Sequence, residues 1–312
     1  MRLLILINLF GGAKENLSLT LEKSQHQAGE TVRGKLLIST NKDSKARMFR
    51  IIVEGKEETR IVVKEEYTES YGTDNSYKRQ AQRDKTYTDS DKFFSQDLST
   101  LLSDKASFIN KTDESITITK GKHELPFEFV IPNNSLESYS GKNAWIKYEV
   151  KATIDKKLKG DINESISFDV VGTGTEFTNV SSSNPMLISD RNSKGFEVKL
   201  EVEKSIYKIG DKINGRVILQ NYDEKIRGIE VILTATERAT ASGRTELSII
   251  EEYNHKLNYD KENESLPFEI HIPQRVPKSY RGRYSELYWT IKAKVDIPMS
   301  SDLNALSKIE IV

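Results

Sequence analysis

Cysteine is absent from the 312 residues. Disulfides, thiolate metal sites and thiol nucleophiles are thereby excluded together, and the core must stand on apolar packing. A net field is missing too. Lys plus Arg and Asp plus Glu number 47 each, so nothing draws the whole molecule onto nucleic acid, and any anion has to be met locally. No apolar run reaches the roughly 20 residues needed to span a bilayer as a helix. The nearest approach is the start, MRLLILINLFGGAKE, where an Arg, an apolar run and Gly-Gly-Ala imitate a very short signal peptide. Asn8 interrupts the run, and Leu3 to Phe10 reads more simply as a first strand. Helical periodicity is also nearly absent.

Alternation with a period of two fills that space. In FEVKLEVEK, Phe196, Val198, Leu200 and Val202 alternate with Glu197, Lys199, Glu201 and Glu203, one face for a core and one for water. LSLTLEK, IKYEVKATI and SISFDVV read alike. Half-solvated alternation belongs to antiparallel sheets. The fold class is all-β, and short strands separated by turn signals indicate sandwiches.

The chain also writes much of itself twice. LEKSQHQAGETVRGKLLI matches VEKSIYKIGDKINGRVIL, with Lys23 on Lys204, Gly29 on Gly210 and Gly34 on Gly215. Further on, LPFEFVIP matches LPFEIHIP, and each is followed by Ser-Tyr-x-Gly and an aromatic-rich strand. The spacing between copies falls from 181 residues in the first block to 141 in the second, so the first copy carries 40 extra residues. Composition places them in the polar stretch from Lys64 to Lys105, which shows no strand alternation. Its end predicts one short helix, capped by Asp89 or Ser90, with Phe93, Phe94, Leu98, Leu101 and Leu102 on one face.

In the repeated strand Phe127, Phe129 and Ile131 share one side, as do Phe268, Ile270 and Ile272. Burial of three such side chains contributes about 5–9 kcal/mol before chain entropy is subtracted. Pro126 and Pro132, and again Pro267 and Pro273, bracket the strand because proline has no N–H for a ladder. Gly141 and Gly282 close the Ser-Tyr-x-Gly segments, where a positive φ is expected. Each copy specifies one sandwich, residues 1–171 and 196–312. Between them 172–195, rich in Ser, Asn and Gly, reads as a linker, with an end-to-end distance of about 25–30 Å if flexible and partial order against a domain face equally open.

These residues resemble the arrestin fold family. Gly29-Glu30 with Val32-x-Gly34, GKHELPFEFVIP, ESYSGKNAWIKYEVKATID and their second-half counterparts look like the arrestin-domain-containing branch and the prokaryotic sporulation-control arrestin-like proteins, with the retromer small subunit more distant. The resemblance covers Leu17 to Val171 and Phe196 to Val312. It implies two tandem immunoglobulin-like sandwiches with concave faces, the lone helix of the first domain near Phe93, and a cytoplasmic, membrane-peripheral adaptor for membrane-protein tails or for trafficking and signalling proteins. The phosphate sensor of signalling arrestins uses an Arg in a C-terminal tail, whereas this sequence ends in KIEIV, which reads as a strand. No Pro-Pro-x-Tyr motif occurs.

Chemistry is sparse. His26, His123, His255 and His271 stand apart without ligand spacing. The many carboxylates read as solvated charge, and neither a Walker loop nor a nucleophile elbow is present. The expectation is no enzyme, no metal and no cofactor. One contrast between the copies points elsewhere. Where the first has NNSLESYSGKN the second has QRVPKSYRGRY, with Arg275, Lys278, Arg281 and Arg283 and no acid. The two turns need the same fold, so the added charge is free to meet phosphorylated protein or anionic lipid, at around 1 kcal/mol for each cation near such a surface. The rival reading is a secreted or surface-attached sandwich, glycan-binding or structural, suggested by the apolar start and by Asn-x-Ser/Thr sites such as Asn110 and Asn163.

Overall fold

A computed structural model describes residues 15–71, 77–99, 106–112, 115–157, 160–172, 186–221, 225–259 and 263–312. The first copy contains β1 (Glu15–Leu21), β2 (Gln25–His26), β3 (Thr31–Thr40), β4 (Ser44–Ala46), β5 (Met48–Tyr71), β6 (Tyr77–Asp97), β7 (Ile109–Lys111), β8 (Ile116–Ile118), β9 (Gly121–Val130), β10 (Tyr139–Ser140), β11 (Ala144–Asp155) and β12 (Ile162–Val170). The second contains β13 (Met186–Arg191), β14 (Glu197–Val202), β15 (Ile206–Tyr207), β16 (Lys212–Gln220), β17 (Gly228–Ala241), β18 (Arg244–Leu257), β19 (Ser265–His271), β20 (Tyr280–Arg281), β21 (Ser285–Asp296) and β22 (Leu303–Ile311).

Each copy is an immunoglobulin-like sandwich, and the two share a common strand order, to which the first adds a small sheet β4-β8-β7 and the second adds β13 beside β14. Sheet β1-β3-β9 corresponds to β14-β16-β19, and β2-β12-β11-β5-β6 to β15-β22-β21-β17-β18; β10 and β20 add to β11 and β21. The repeated motif therefore occupies the same place twice. Phe127 lies across from Gly34 and Phe268 across from Gly215. A Cβ on either glycine would fall within 2.5 Å of the phenylalanine ring, so the ring needs a glycine opposite it. Phe127, Phe129, Ile131, Phe268, Ile270 and Ile272 are all buried. The alternation read from the sequence runs through β11 and β21, where every second side chain faces the interior.

By contact density the chain divides into two compact units. One takes the residues up to Lys56, Lys92–Ser138 and the chain from Ile146 through β12; the other takes Glu57–Asp91, Tyr139–Trp145 and everything from β13 onward.

Three expectations are corrected. The polar stretch beginning at Lys64 is not strand-free, because β5 and β6 form a hairpin of 24 and 21 residues through it. Its strands are held by polar and charged cross-strand pairs, Lys92–Glu54 at 2.6 Å, Gln82–Glu66 at 3.3 Å and Tyr87–Glu65 at 2.5 Å, in place of an apolar alternation. Second, the segment from Asp89 to Asp97 is extended strand, so the expected helix does not start there; Phe93 packs edge-on against Tyr148, their centroids 5.6 Å apart, and Leu98 is buried. Leu101 and Leu102 lie outside the described residues. Third, Met186–Arg191 of the expected linker is strand β13, paired antiparallel to β14. Residues 173–185, and the Leu3 to Phe10 run, lie outside the described residues.

Candidate functional site

The Ser-Tyr-x-Gly segments are built alike from the last strand inward. Ser138 exchanges two hydrogen bonds with Val170 of β12: its N–H reaches the carbonyl at 2.8 Å and its Oγ accepts from the amide at 2.9 Å. Ser279 does the same with Ile311, at 2.7 and 3.0 Å. Just upstream the chain is tied to an aromatic of the following strand, Leu136 O accepting from Tyr148 Oη at 2.5 Å and Pro277 O from Trp289 Nε1 at 3.0 Å. Downstream the Gly141 amide donates to Ala144 O and the Gly282 amide to Ser285 O, so each segment closes as a turn.

Within the second unit each turn wraps a buried carboxylate. Glu57 Oε2 accepts from the Arg283 amide at 2.8 Å, its Oε1 from the Ser285 amide at 2.7 Å and the Ser285 hydroxyl at 2.5 Å, and the Tyr284 amide lies at 3.1 Å. Glu237 accepts from the Asn143 amide at 2.7 Å, the Lys142 amide at 3.1 Å and the Tyr139 hydroxyl at 2.9 Å. Both glutamates are 1% exposed or less. Convergent N–H groups in a turn form an anion-accepting nest, and a buried carboxylate left without such donors would be very costly. Tyr139 and Tyr280 pack beside the nests with centroids 4.9 Å apart and their rings tilted by 53°. Burial pushes both phenols up, and the Glu237 carboxylate pushes Tyr139 further.

The same geometry corrects the reading of the turn glycines. Neither Gly141 nor Gly282 has a positive φ. Glycine stands there because a Cβ would come within 1.7 Å of Glu237 Oε2 at position 141 and 2.3 Å of Glu57 Oε1 at position 282.

The basic loop of the second copy is only partly free. Arg283 is committed: its Nη1 reaches Asp91 at 2.8 Å, its guanidinium lies over the Tyr284 ring, and the Asp91 carboxylate holds its pKa above the ordinary arginine value. Lys278 also has an interaction partner. Arg275 and Arg281 are exposed and form no ion pair among the described residues. The nests already hold carboxylates, so these two are what the loop can offer to an incoming anion.

In the first unit a cleft of about 940 Å³ lies over β1, β3 and β9, lined by Thr20, Glu22, Arg33, Lys35, Glu128 and Val130 among others. Its cations are paired across the strands, Arg33 with Glu128 at 3.3 Å and Lys35 with Glu124 at 2.8 Å, while Val130 is 54% exposed. The cleft offers an apolar contact bordered by charge of both signs.

The four histidines stay apart. His26 is buried, its Nε2 3.1 Å from Lys23 O; His123 stacks on Phe108; His271 lies 3.2 Å from Glu269; and His255 is exposed. Among the described residues no group of three or more His, Asp or Glu could hold a metal ion.

Sequence reasoning missed Glu57 and Glu237. The signal was parity. Ile51, Val53, Glu57, Thr59 and Ile61 share the inward face of β5, as Leu233, Ala235, Glu237 and Ala239 share that of β17. An acid in a buried register marks a group that must find donors inside.

Residues 17–174 match the family model described as "Arrestin (or S-antigen), N-terminal domain". Over 149 residues, 47% of the chain, the sequence is 27% identical to "Vacuolar protein sorting-associated protein 26B" of Danio rerio. The match spans 44% of that protein, so the chain covers less than half of its length.

Proposed function

Because the chain belongs to the arrestin family, we propose that it acts as a non-enzymatic adaptor, holding membrane-protein tails or trafficking and signalling proteins and presenting them to other machinery. The relative's name ties that protein to vacuolar protein sorting, and a sorting role is the form of the proposal we favour here. The observation that carries it is the cleft over β1, β3 and β9, an open concave sheet face of the kind an extended segment can occupy. On this reading residues 1–171 and 196–312 are the two scaffold domains, with β13 (Met186–Arg191) added to the sheet of the second, and the protein works in the cytoplasm, peripheral to the membrane. No helix among the described residues is long and apolar enough to cross a membrane.

Affinity capture from native cell extract tests the reading, with the full chain and a variant carrying Arg33→Glu and Lys35→Glu as parallel baits. The expected result is a reproducible set of membrane or trafficking proteins that the variant loses. Recovery of no reproducible partner, or equal recovery by both baits, would count against it.

Arg275 and Arg281 are proposed to add a contact to anionic membrane. Co-sedimentation with vesicles containing phosphatidylserine should fall several-fold in the Arg275→Gln, Arg281→Gln double variant. Equal sedimentation of the two proteins, or the same binding to neutral vesicles, would remove the idea.

A further inference from the structure

The β17–β18 hairpin turns through Ser242 and Gly243, whose φ angles of 51° and 75° make a two-residue turn of the primed kind. Such a turn makes Ala241 and Arg244 a hydrogen-bonded pair, and bonded and non-bonded pairs alternate from there. Thr245, Leu247 and Ile249 then fall in the non-bonded pairs. Their N–H and C=O groups point away from β17, and no strand lies beyond β18 in its sheet among the described residues. The same three side chains are on the outer face, with Leu247 61% and Ile249 62% exposed, while Ser248 between them is buried. After Ile249 the register shifts in a bulge, which ends the regular edge.

Exposed edges are usually guarded by charge, proline or a cover. Strand β6, the counterpart of β18 in the first copy, carries exposed Lys78, Arg79, Arg83 and Lys85. The Thr245–Ile249 stretch has no Lys, Arg or Pro. Arg244, just before it, is drawn to Glu65 at 3.7 Å and lies over the Tyr87 ring.

We propose that Thr245–Ile249 is the surface through which two copies of this chain associate, edge to edge, antiparallel and about Leu247. The stretch is complementary to itself. Pairing about Leu247 sets that residue across from its mate, Thr245 across from Ile249 of the other copy, and Glu246 across from Ser248, so no like charges meet. Three pairs in the bonded register exchange about six hydrogen bonds. Leu247 and Ile249 of both copies form one apolar stripe over the two-fold axis, as an isologous contact requires. Five residues a side is well below the area of a stable complex, about 1,200 Å² and above, so the association is weak and depends on concentration.

Sedimentation of the full chain tests this, from about 1 to 100 μM, a range suited to an interface below the stable class. The weight-average mass should rise from 35.6 kDa toward twice that value. A variant with Leu247→Lys and Ile249→Lys should stay monomeric while keeping the native circular dichroism spectrum. Mixed with a second variant, Leu247→Glu and Ile249→Glu, it should recover dimer, which neither forms alone. A wild-type mass that stays monomeric throughout, as expected if this edge serves a strand from a different protein, overturns the proposal. So does a dimer that persists in the lysine variant, or a mixture that fails to associate.

Discussion

A methyl group added at Gly282 would sit 2.3 Å from a buried carboxylate oxygen, and at Gly141 1.7 Å from one. Gly282→Ala must push Glu57 off its donors, and we expect a loss of about 2–4 kcal/mol, the range for breaking a buried polar network. Gly228→Ala is the control, since open space surrounds that position and the change should stay within about 0.5 kcal/mol. Urea denaturation of both variants measures the difference, and similar midpoints would refute the close-approach account. A second residue-scale prediction concerns acid. Lys23 Nζ, and after it the Gln27 amide, hold Glu30 down to about 2 from an ordinary 4.5. Its folded value is depressed, so its contribution to stability is complete above pH 4.5 and is lost as the pH falls toward 2. In Glu30→Gln the acid unfolding curve, followed by circular dichroism, should be shallower across that window. An unchanged slope would show that the turn does not feel the charge.

At the scale of elements, strand β19 and its counterpart β9 put their aromatic residues on the core. Phe268→Ala and Phe127→Ala should each cost about 3–5 kcal/mol, because the glycine that lies opposite has no side chain to move into the space. Thermal unfolding of the two variants reads this directly, and a loss under about 1 kcal/mol would mean that the site collapses around the gap. These strands were legible in the sequence because half their surface is apolar and the period shows. The β5–β6 hairpin was not. Around Lys64–Asp91 it substitutes Glu65–Lys85, Glu65–Tyr87 and similar cross-strand pairs for an apolar stripe, and a charged ribbon reads as loop by composition. Arg244 joins that charge group from β18, a contact no local pattern could reveal. Phe93 and Phe94, adjacent and followed by Leu98, suggested a helical face; in the strand one of them packs on Tyr148 and the periodicity is accidental.

On the scale of the whole molecule, duplication was the strongest signal, since matched blocks at fixed spacing report topology without any periodicity. The sandwich pair followed from it, with strand orders that repeat from copy to copy. The candidate site was less legible. Loop charge pointed to Arg275, Lys278, Arg281 and Arg283, but composition could not show that Asp91 occupies Arg283. Equal numbers of acids and bases, 47 of each, bear on the molecule as one body. At about 150 mM salt the chain should leave the mobility of duplex DNA or single-stranded RNA unchanged, because no net field favours counterion release. Retardation in that gel would reveal a local basic surface.

The nests have a consequence for how this sequence can drift. Gly282 with Glu57, and Gly141 with Glu237, are pairs in which a side chain on one residue is tolerated only if the other retreats. Glu57→Asp shortens the carboxylate and Gly282→Ala crowds it, so each is harmful alone while the two together relieve one another. That is sign epistasis across 225 positions of chain, and a mutational scan of single substitutions would record both sites as immutable.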